Sequence, residues 1–143
     1  MNYPNKPFQK RVEKPWGFEV IYTPPDLERT GKILSVRGGQ RLSLQYHDQK
    51  EETVCLISGQ GAIWLENGIG ELDRLPMEPL RGYTVAVGQK HRLEAVTDAL
   101  FTEVSGPEKG TTFRLDDDYA RPDETEAVRG SAGRGWNQNS RPH

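Results

Sequence analysis

Histidine is the first residue type to weigh here, because imidazole both ligates metal ions and exchanges protons near neutral pH. The chain has three: His47, His91 and His143. His143 is the last residue of a stretch poor in apolar side chains and carries no further argument. His47 is followed closely by Gln49, Lys50, Glu51 and Glu52, and His91 comes much later, after Val87-Gly88-Gln89-Lys90. Two imidazoles, one carboxylate and an amide oxygen form a donor set without thiolate. Such a set suits Fe, Ni, Mn or Zn, and the donor types do not choose among them. Glu51 and Glu52 are adjacent, so local turn geometry decides which one faces His47. Spacing alone favours ordinary surface or hydrogen-bonded histidines, since a glutamate five residues after a histidine is common. Cations flank both histidines: Arg41 and Lys50 around the first, Lys90 and Arg92 around the second. Together they can form a phosphate-binding cluster or a solvated basic rim. Cys55 lies in the apolar run Val54-Cys55-Leu56-Ile57 and reads as a buried structural thiol, since reactivity needs an exposed, electropositive setting.

Residues so far apart in sequence meet only if a scaffold converges them. Residues 11–119 read as all β. Phe18–Thr23 is β-prone and ends at Pro24-Pro25, and Lys32–Val36 stops at Gly38-Gly39. Arg41–His47 alternates, with Leu42, Leu44 and Tyr46 on one side and Ser43, Gln45 and His47 on the other. Thr53–Ser58 and Ala62–Glu66 flank Gly59-Gln60-Gly61, a three-residue hairpin turn, and Asn67-Gly68-Ile69-Gly70 is a further turn. Tyr83–Val87, Arg92–Val96 and Leu100–Val104 complete the set. No segment keeps a 3.6-residue period. Short, evenly spaced strands predict a sandwich or barrel, and inward positions of separate strands converge in a small barrel.

The motifs around the histidines carry a resemblance. Gly39–Thr53 followed by Val54-Cys55-Leu56-Ile57-Ser58-Gly59 resembles the first cupin motif, and in particular that of the type II mannose-6-phosphate isomerase cupin family, which often reads P-G-x-x-L-S-L-Q-x-H before a glutamate and a strand ending in glycine. Val85–Glu94 resembles the second motif, I-P-x-G-x-x-H-x-L. Val12-Glu13-Lys14-Pro15-Trp16-Gly17 is similar to the family's opening P-W-G block. Thr102–Gly106 and Arg114–Arg121 are similar to its closing strand and D-D-x-Y-x-R segment. Four ordered blocks span residues 12–121.

The resemblance implies a single cupin β-barrel, also described as a jelly roll, over residues 11–119. It implies a divalent metal ion held by His47, Glu52 and His91, with Gln49 or water completing the shell. Where cupins commonly have the second histidine of H-x-H, this chain has Gln49, while Gln45 shares a strand face with His47 and can also point inward. The activity implied is aldose–ketose isomerisation of a sugar phosphate. Glu51, Glu103 or Glu94 would shuttle the proton, Lys50 and Lys90 would hold the phosphate with Lys90 at the reacting end, and Arg41 and Arg92 would add to substrate binding. Trp16 reads as packing, and Arg114, Asp117, Asp118 and Tyr119 as residues that close the barrel by pairing with one another. Two alternatives stand beside this one: a sugar-binding or sensory cupin without catalysis, and another cupin enzyme such as an epimerase or lyase.

Composition bounds the partners. Nineteen basic against 21 acidic residues give a net charge of −2, which argues against nucleic acid as a partner. No apolar run approaches the ~20 residues of a membrane helix. The start, Met1-Asn2-Tyr3-Pro4, has no apolar signal-like region, and the single cysteine excludes an internal disulfide, so a cytoplasmic protein is expected. Open sheet edges and the family resemblance lead to the expectation of a homodimer. Residues 1–10 read as a flexible segment. Residues 120–143, with Arg129-Gly130-Ser131-Ala132-Gly133-Arg134-Gly135, read as a disordered tail.

Overall fold

The computed structural model describes residue 3 and residues 5–136. Eleven strands follow in chain order: β1 (Lys10–Lys14), β2 (Gly17–Ile21), β3 (Thr30–Val36), β4 (Leu44–His47), β5 (Glu52–Ser58), β6 (Gly61–Glu66), β7 (Leu72–Pro76), β8 (Gly82–Val85), β9 (His91–Ala95), β10 (Ala99–Ser105) and β11 (Thr112–Asp116). They form two antiparallel sheets, β1-β2-β3-β10-β5-β8 and β11-β4-β9-β6-β7. This is the all-β jelly roll that the sequence predicts. The segments proposed from alternation match β2–β6 and β8–β10 within a few residues at each end.

Three strands were not expected. In β1 the inward residues are Val12 and Lys14, so half of its buried face is charged and the pattern is hidden. β7 is an edge strand, almost wholly exposed, with no apolar alternation to betray it. β11 pairs with β4, placing Thr112 opposite His47. The expected turn after β5 is present. Gly59 has φ +80°, and a Cβ there would lie 2.1 Å from the Asp98 carbonyl oxygen, so only glycine fits.

The interior changes character along the strands. On the inward face of β3, Leu34 and Val36 are apolar but Thr30 and Lys32 are not. On β10, Ala99 and Phe101 give way to Glu103 and Ser105, and on β5 Leu56 and Val54 give way to Glu52. The register aligns these changes: Phe101 lies opposite Leu34 and Leu56, and Glu103 lies opposite Lys32. One end of the barrel is therefore packed hydrocarbon, with Ile63, Val85 and Leu93 joining it and Trp16 at its boundary with the charged cavity. The other end is built from buried charges.

The segment after β11 departs from the disordered tail expected over 120–143. A short helix, α1 (Glu126–Arg129), is capped by the Thr125 hydroxyl, which accepts from the Val128 N–H. Arg134 is buried, and its guanidinium donates to Glu108 and to Glu124. Apolar composition gave no sign of this, because ion pairs hold the segment in place. The remainder of that stretch, residues 137–143, lies outside the described residues.

Candidate metal centre and its charged cavity

β4 supplies Gln45 and His47, two residues apart and therefore on one face. β9 begins with His91, paired in register with Gln45, and β5 begins with Glu52. All three strands deliver these residues at the charged end of the barrel. His47, Glu52 and His91 are each under 5% exposed. Their ligand atoms lie within 4.8 Å of one another, and this group could hold a metal ion. Glu52 Oε1 is 2.8 Å from His91 Nε2 and 3.4 Å from His47 Nε2.

Each imidazole is fixed through its other nitrogen. His91 Nδ1 lies 2.9 Å from the Gln89 carbonyl oxygen, which can only accept, so Nδ1 carries the proton and donates. A neutral His91 then turns the Nε2 lone pair toward the Glu52 carboxylate. Two acceptors at 2.8 Å require a proton or a cation between them. His47 Nδ1 is 2.9 Å from the Thr112 hydroxyl, and its Nε2 is buried without a hydrogen-bond partner. Donor atoms each ~2.0–2.2 Å from one ion stand about 3 Å apart, close to the two spacings seen here. Paired lone pairs, an orphaned imidazole nitrogen and second nitrogens already anchored together fit a divalent ion.

Electrostatics separate the two buried glutamates. For Glu52, burial works to raise the carboxyl. The Lys50 charge and the two imidazoles beside the carboxylate outweigh it and hold Glu52 well below the usual range. Glu103 is pushed up to about 8, first by burial and then by the Glu52 charge, against the pull of Lys50 and Lys32. Lys50 Nζ stands 3.8 Å from a carboxylate oxygen of each. Burial lowers His47, which favours the neutral, ligating form.

His47, Glu52 and Gln45 line a cavity of about 60 Å³. Lys50 and Glu103 line it too, and the rest of its wall is strongly ionic. Glu19 lies 3.3 Å from both Lys14 and Lys32, and Lys32 is 3.0 Å from Glu108. Glu124 lies 3.5 Å from both Arg114 and Arg134.

Several residues nominated from sequence lie elsewhere. Gln49 is exposed beside Gly110, in the loop after β4 ends, so the amide near the histidines is that of Gln45. Gln45 Nε2 is 3.5 Å from His91 Nε2, and Gln45 Oε1 accepts from the Ser43 hydroxyl. The alternation of β4 carried that signal. Glu51 is exposed and Glu52 buried, which resolves the one-residue ambiguity. Lys90 is exposed. Arg41 donates to Asp118, and Arg92 to Asp116 and the Leu42 carbonyl, so both are engaged away from the cavity wall. Glu94 pairs with Arg74 and accepts from Trp64. Arg114, Asp117, Asp118 and Tyr119 do not pair among themselves. Asp117 binds Arg121, Asp118 binds Arg41, and the Tyr119 hydroxyl binds Gln40. Thr112 carried no sequence signal, and only the β4–β11 pairing reveals it.

No family profile matches the chain, and no curated protein does. Solved structures do. Oxalate decarboxylase from Bacillus subtilis superposes with a TM-score of 0.67 at 17% identity, over 80% of this chain and 33% of that one. The capsular polysaccharide assembling protein CapF from Staphylococcus aureus superposes with a TM-score of 0.59 at 15% identity, over 87% of this chain and 33% of that one. The chain thus spans about a third of the length of each. At these identities the likeness is one of fold, the cupin fold. Among the described residues, no helix is long and apolar enough to cross a membrane.

Proposed function

We propose that this cupin is a metal-dependent isomerase acting on a sugar phosphate by aldose–ketose isomerisation. The observation that carries the reading is the buried His47, Glu52 and His91 group, with Lys50 and Glu103 at the same cavity. A divalent ion held there would polarise the carbonyl and hydroxyl oxygens between which the proton moves. The chain's own residues supply the rest. Glu103 Oε2 is buried without a hydrogen-bond partner, placed to take a proton from one carbon and return it to its neighbour. Lys50, between Glu52 and Glu103, provides a fixed positive charge beside the developing oxyanion. Gln89 and Thr112 hold the imidazoles in orientation. The resemblance of the Gly39–Gly59 and Val85–Glu94 blocks to the type II mannose-6-phosphate isomerase cupins supports the substrate class.

The test is metal content after chelator-free purification, followed by turnover on a panel of hexose and pentose phosphates. We expect a bound divalent ion, activity on at least one of them, and loss of both in His91→Ala with the fold retained. Glu103→Gln should keep the metal and lose turnover. Metal-free wild type without turnover would sink the reading. The same proposal includes a homodimer, which light scattering would detect as about twice the 16.2 kDa chain mass.

A second reading, a sugar-binding cupin without catalysis, has one observation behind it. Where cupins commonly have the second histidine of H-x-H this chain has Gln49, which is exposed, so the group offers one imidazole fewer to a catalytic ion. Saturable sugar binding without turnover would favour it.

A further inference from the structure

We infer that the charged end of the barrel holds an oxyanion pocket in which Trp16 Nε1 and Arg114 Nε bind a single small anion. The pocket goes beyond the metal centre and does not depend on it.

The first observation is a pair of buried donors left unused. Trp16 is 2% exposed and its indole N–H has no hydrogen-bond partner among the described residues. The Arg114 side chain is 6% exposed. Its terminal nitrogens donate to the Pro122 carbonyl and to Glu124, but its Nε–H has no partner. Indole and guanidinium N–H groups are donors only. Such groups are seldom left bare in a folded interior. Both residues line the cavity of about 60 Å³.

The second observation is charge. The cavity wall carries six cationic side chains and four carboxylates. The other two acidic partners, Glu108 beside Lys32 and Asp117 beside Arg121, do not line the cavity. A guest in the cavity therefore meets two more cations than carboxylates on the wall itself. Among the described residues it also meets three unused N–H groups, those of Trp16, Arg114 and Arg134, and two carboxylate oxygens without hydrogen-bond partners, Glu19 Oε1 and Glu103 Oε2. A phosphate or phosphoryl monoanion answers all of these, since its bare oxygens accept from the N–H groups and its P–OH donates to a carboxylate.

The third observation is size. The volume equals roughly two waters, the scale of one oxyanion group and not of a hexose. The cations proposed from sequence for this task do not reach the wall, apart from Lys50. Arg41 and Arg92 are spent on Asp116 and Asp118, and Lys90 is exposed.

The test is calorimetric titration of chelator-treated protein with inorganic phosphate and, separately, with a hexose 6-phosphate. Wild type should bind inorganic phosphate saturably. Trp16→Phe keeps an aromatic ring and removes the N–H, and Arg114→Lys keeps the charge and removes the Nε donor. Each should weaken binding at least about tenfold, the cost of one donor to a charged acceptor. Arg81→Gln, which removes a surface cation 73% exposed, should bind as wild type does. If Trp16→Phe melts below the assay temperature, Arg114→Lys alone decides. Phosphate binding without hexose 6-phosphate binding assigns the pocket to a free anion, and binding of both assigns it to a phosphoryl group. A folded wild type that binds neither, or folded variants that bind equally well, would overturn the proposal and leave a cavity filled with water. Titration of the same samples with Mn or Zn reads the His47, Glu52 and His91 group separately. Loss there with phosphate binding intact would sink the isomerase reading and leave the anion pocket standing.

Discussion

The two ends of the barrel interior are built on the same strands by opposite physics. At one end Phe101, Leu56, Ile63 and Val36 are at most 2% exposed and belong to the hydrophobic core cluster. At the other, Lys14, Glu19, Lys32, Glu103, Glu124 and Arg134 are also buried, 3–7% exposed, and held by ion pairs. The apolar end is stabilised simply by leaving water. The charged end has lost hydration that its ion pairs only partly return, so it contributes little net stability while each member depends on the others. Apolar packing fixes the strands, and those strands hold buried charge and the histidine pair in geometries that water would otherwise dissolve.

The comparison breaks most visibly in the apolar half. Phe101→Ala should cost about 3–5 kcal/mol, read as a lower denaturant midpoint, with the same loss at pH 7 and pH 4. A purely acid-dependent loss would contradict the division.

The charged half should respond to pH. Burial works to raise Glu124, but Lys14, Arg134, Lys32 and Arg114 outweigh it and lower the carboxyl from 4.5 to about 2. A depressed folded value means that the stabilisation is fully present above the unfolded value, near pH 4.5. It is lost as the pH falls through the folded value, near 2. The shift corresponds to about 3 kcal/mol. Glu124→Gln should flatten this acid limb in pH-dependent thermal melts. An unchanged limb would show that Glu124 is not part of the buried charge balance.

Smaller effects sharpen the site itself. Gln45→His adds an imidazole on the face of His47 and should tighten divalent-metal binding by about tenfold. Gln49→His, on an exposed loop, should leave affinity unchanged. The reverse pattern in a metal titration would return the fourth position to Gln49. Arg41→Gln breaks a half-exposed pair with Asp118 and should cost at most about 1 kcal/mol, measurable as a slight shift in chemical denaturation that shrinks further in high salt.

Much of the fold was legible because alternation is a local property. Eight of the strands follow from apolar spacing and turn residues, as in Arg41–His47 and around Gly59. β1 and β11 escaped because charged or polar side chains face inward, and β7 because almost nothing in it is buried. The same limit hid the end of the chain. Arg134 reads as a solvated residue in a glycine-rich stretch until Glu108 and Glu124 are seen beside it.

By itself, then, the sequence determined the all-β class, two histidines with an adjacent glutamate pair as candidate ligands, and that His47 and Gln45 share a face, because residue type and two-residue period are written in the chain. Tertiary structure decided that Glu52 and not Glu51 turns inward, that Gln45 and not Gln49 meets His91, and that Trp16 and Arg114 face a cavity with unused donors. It also decided that Arg41 and Arg92 are consumed by Asp116 and Asp118. Those outcomes depend on which strand lies beside which, and on where a turn ends. Pairing between residues dozens of positions apart sets them, and no local pattern records it.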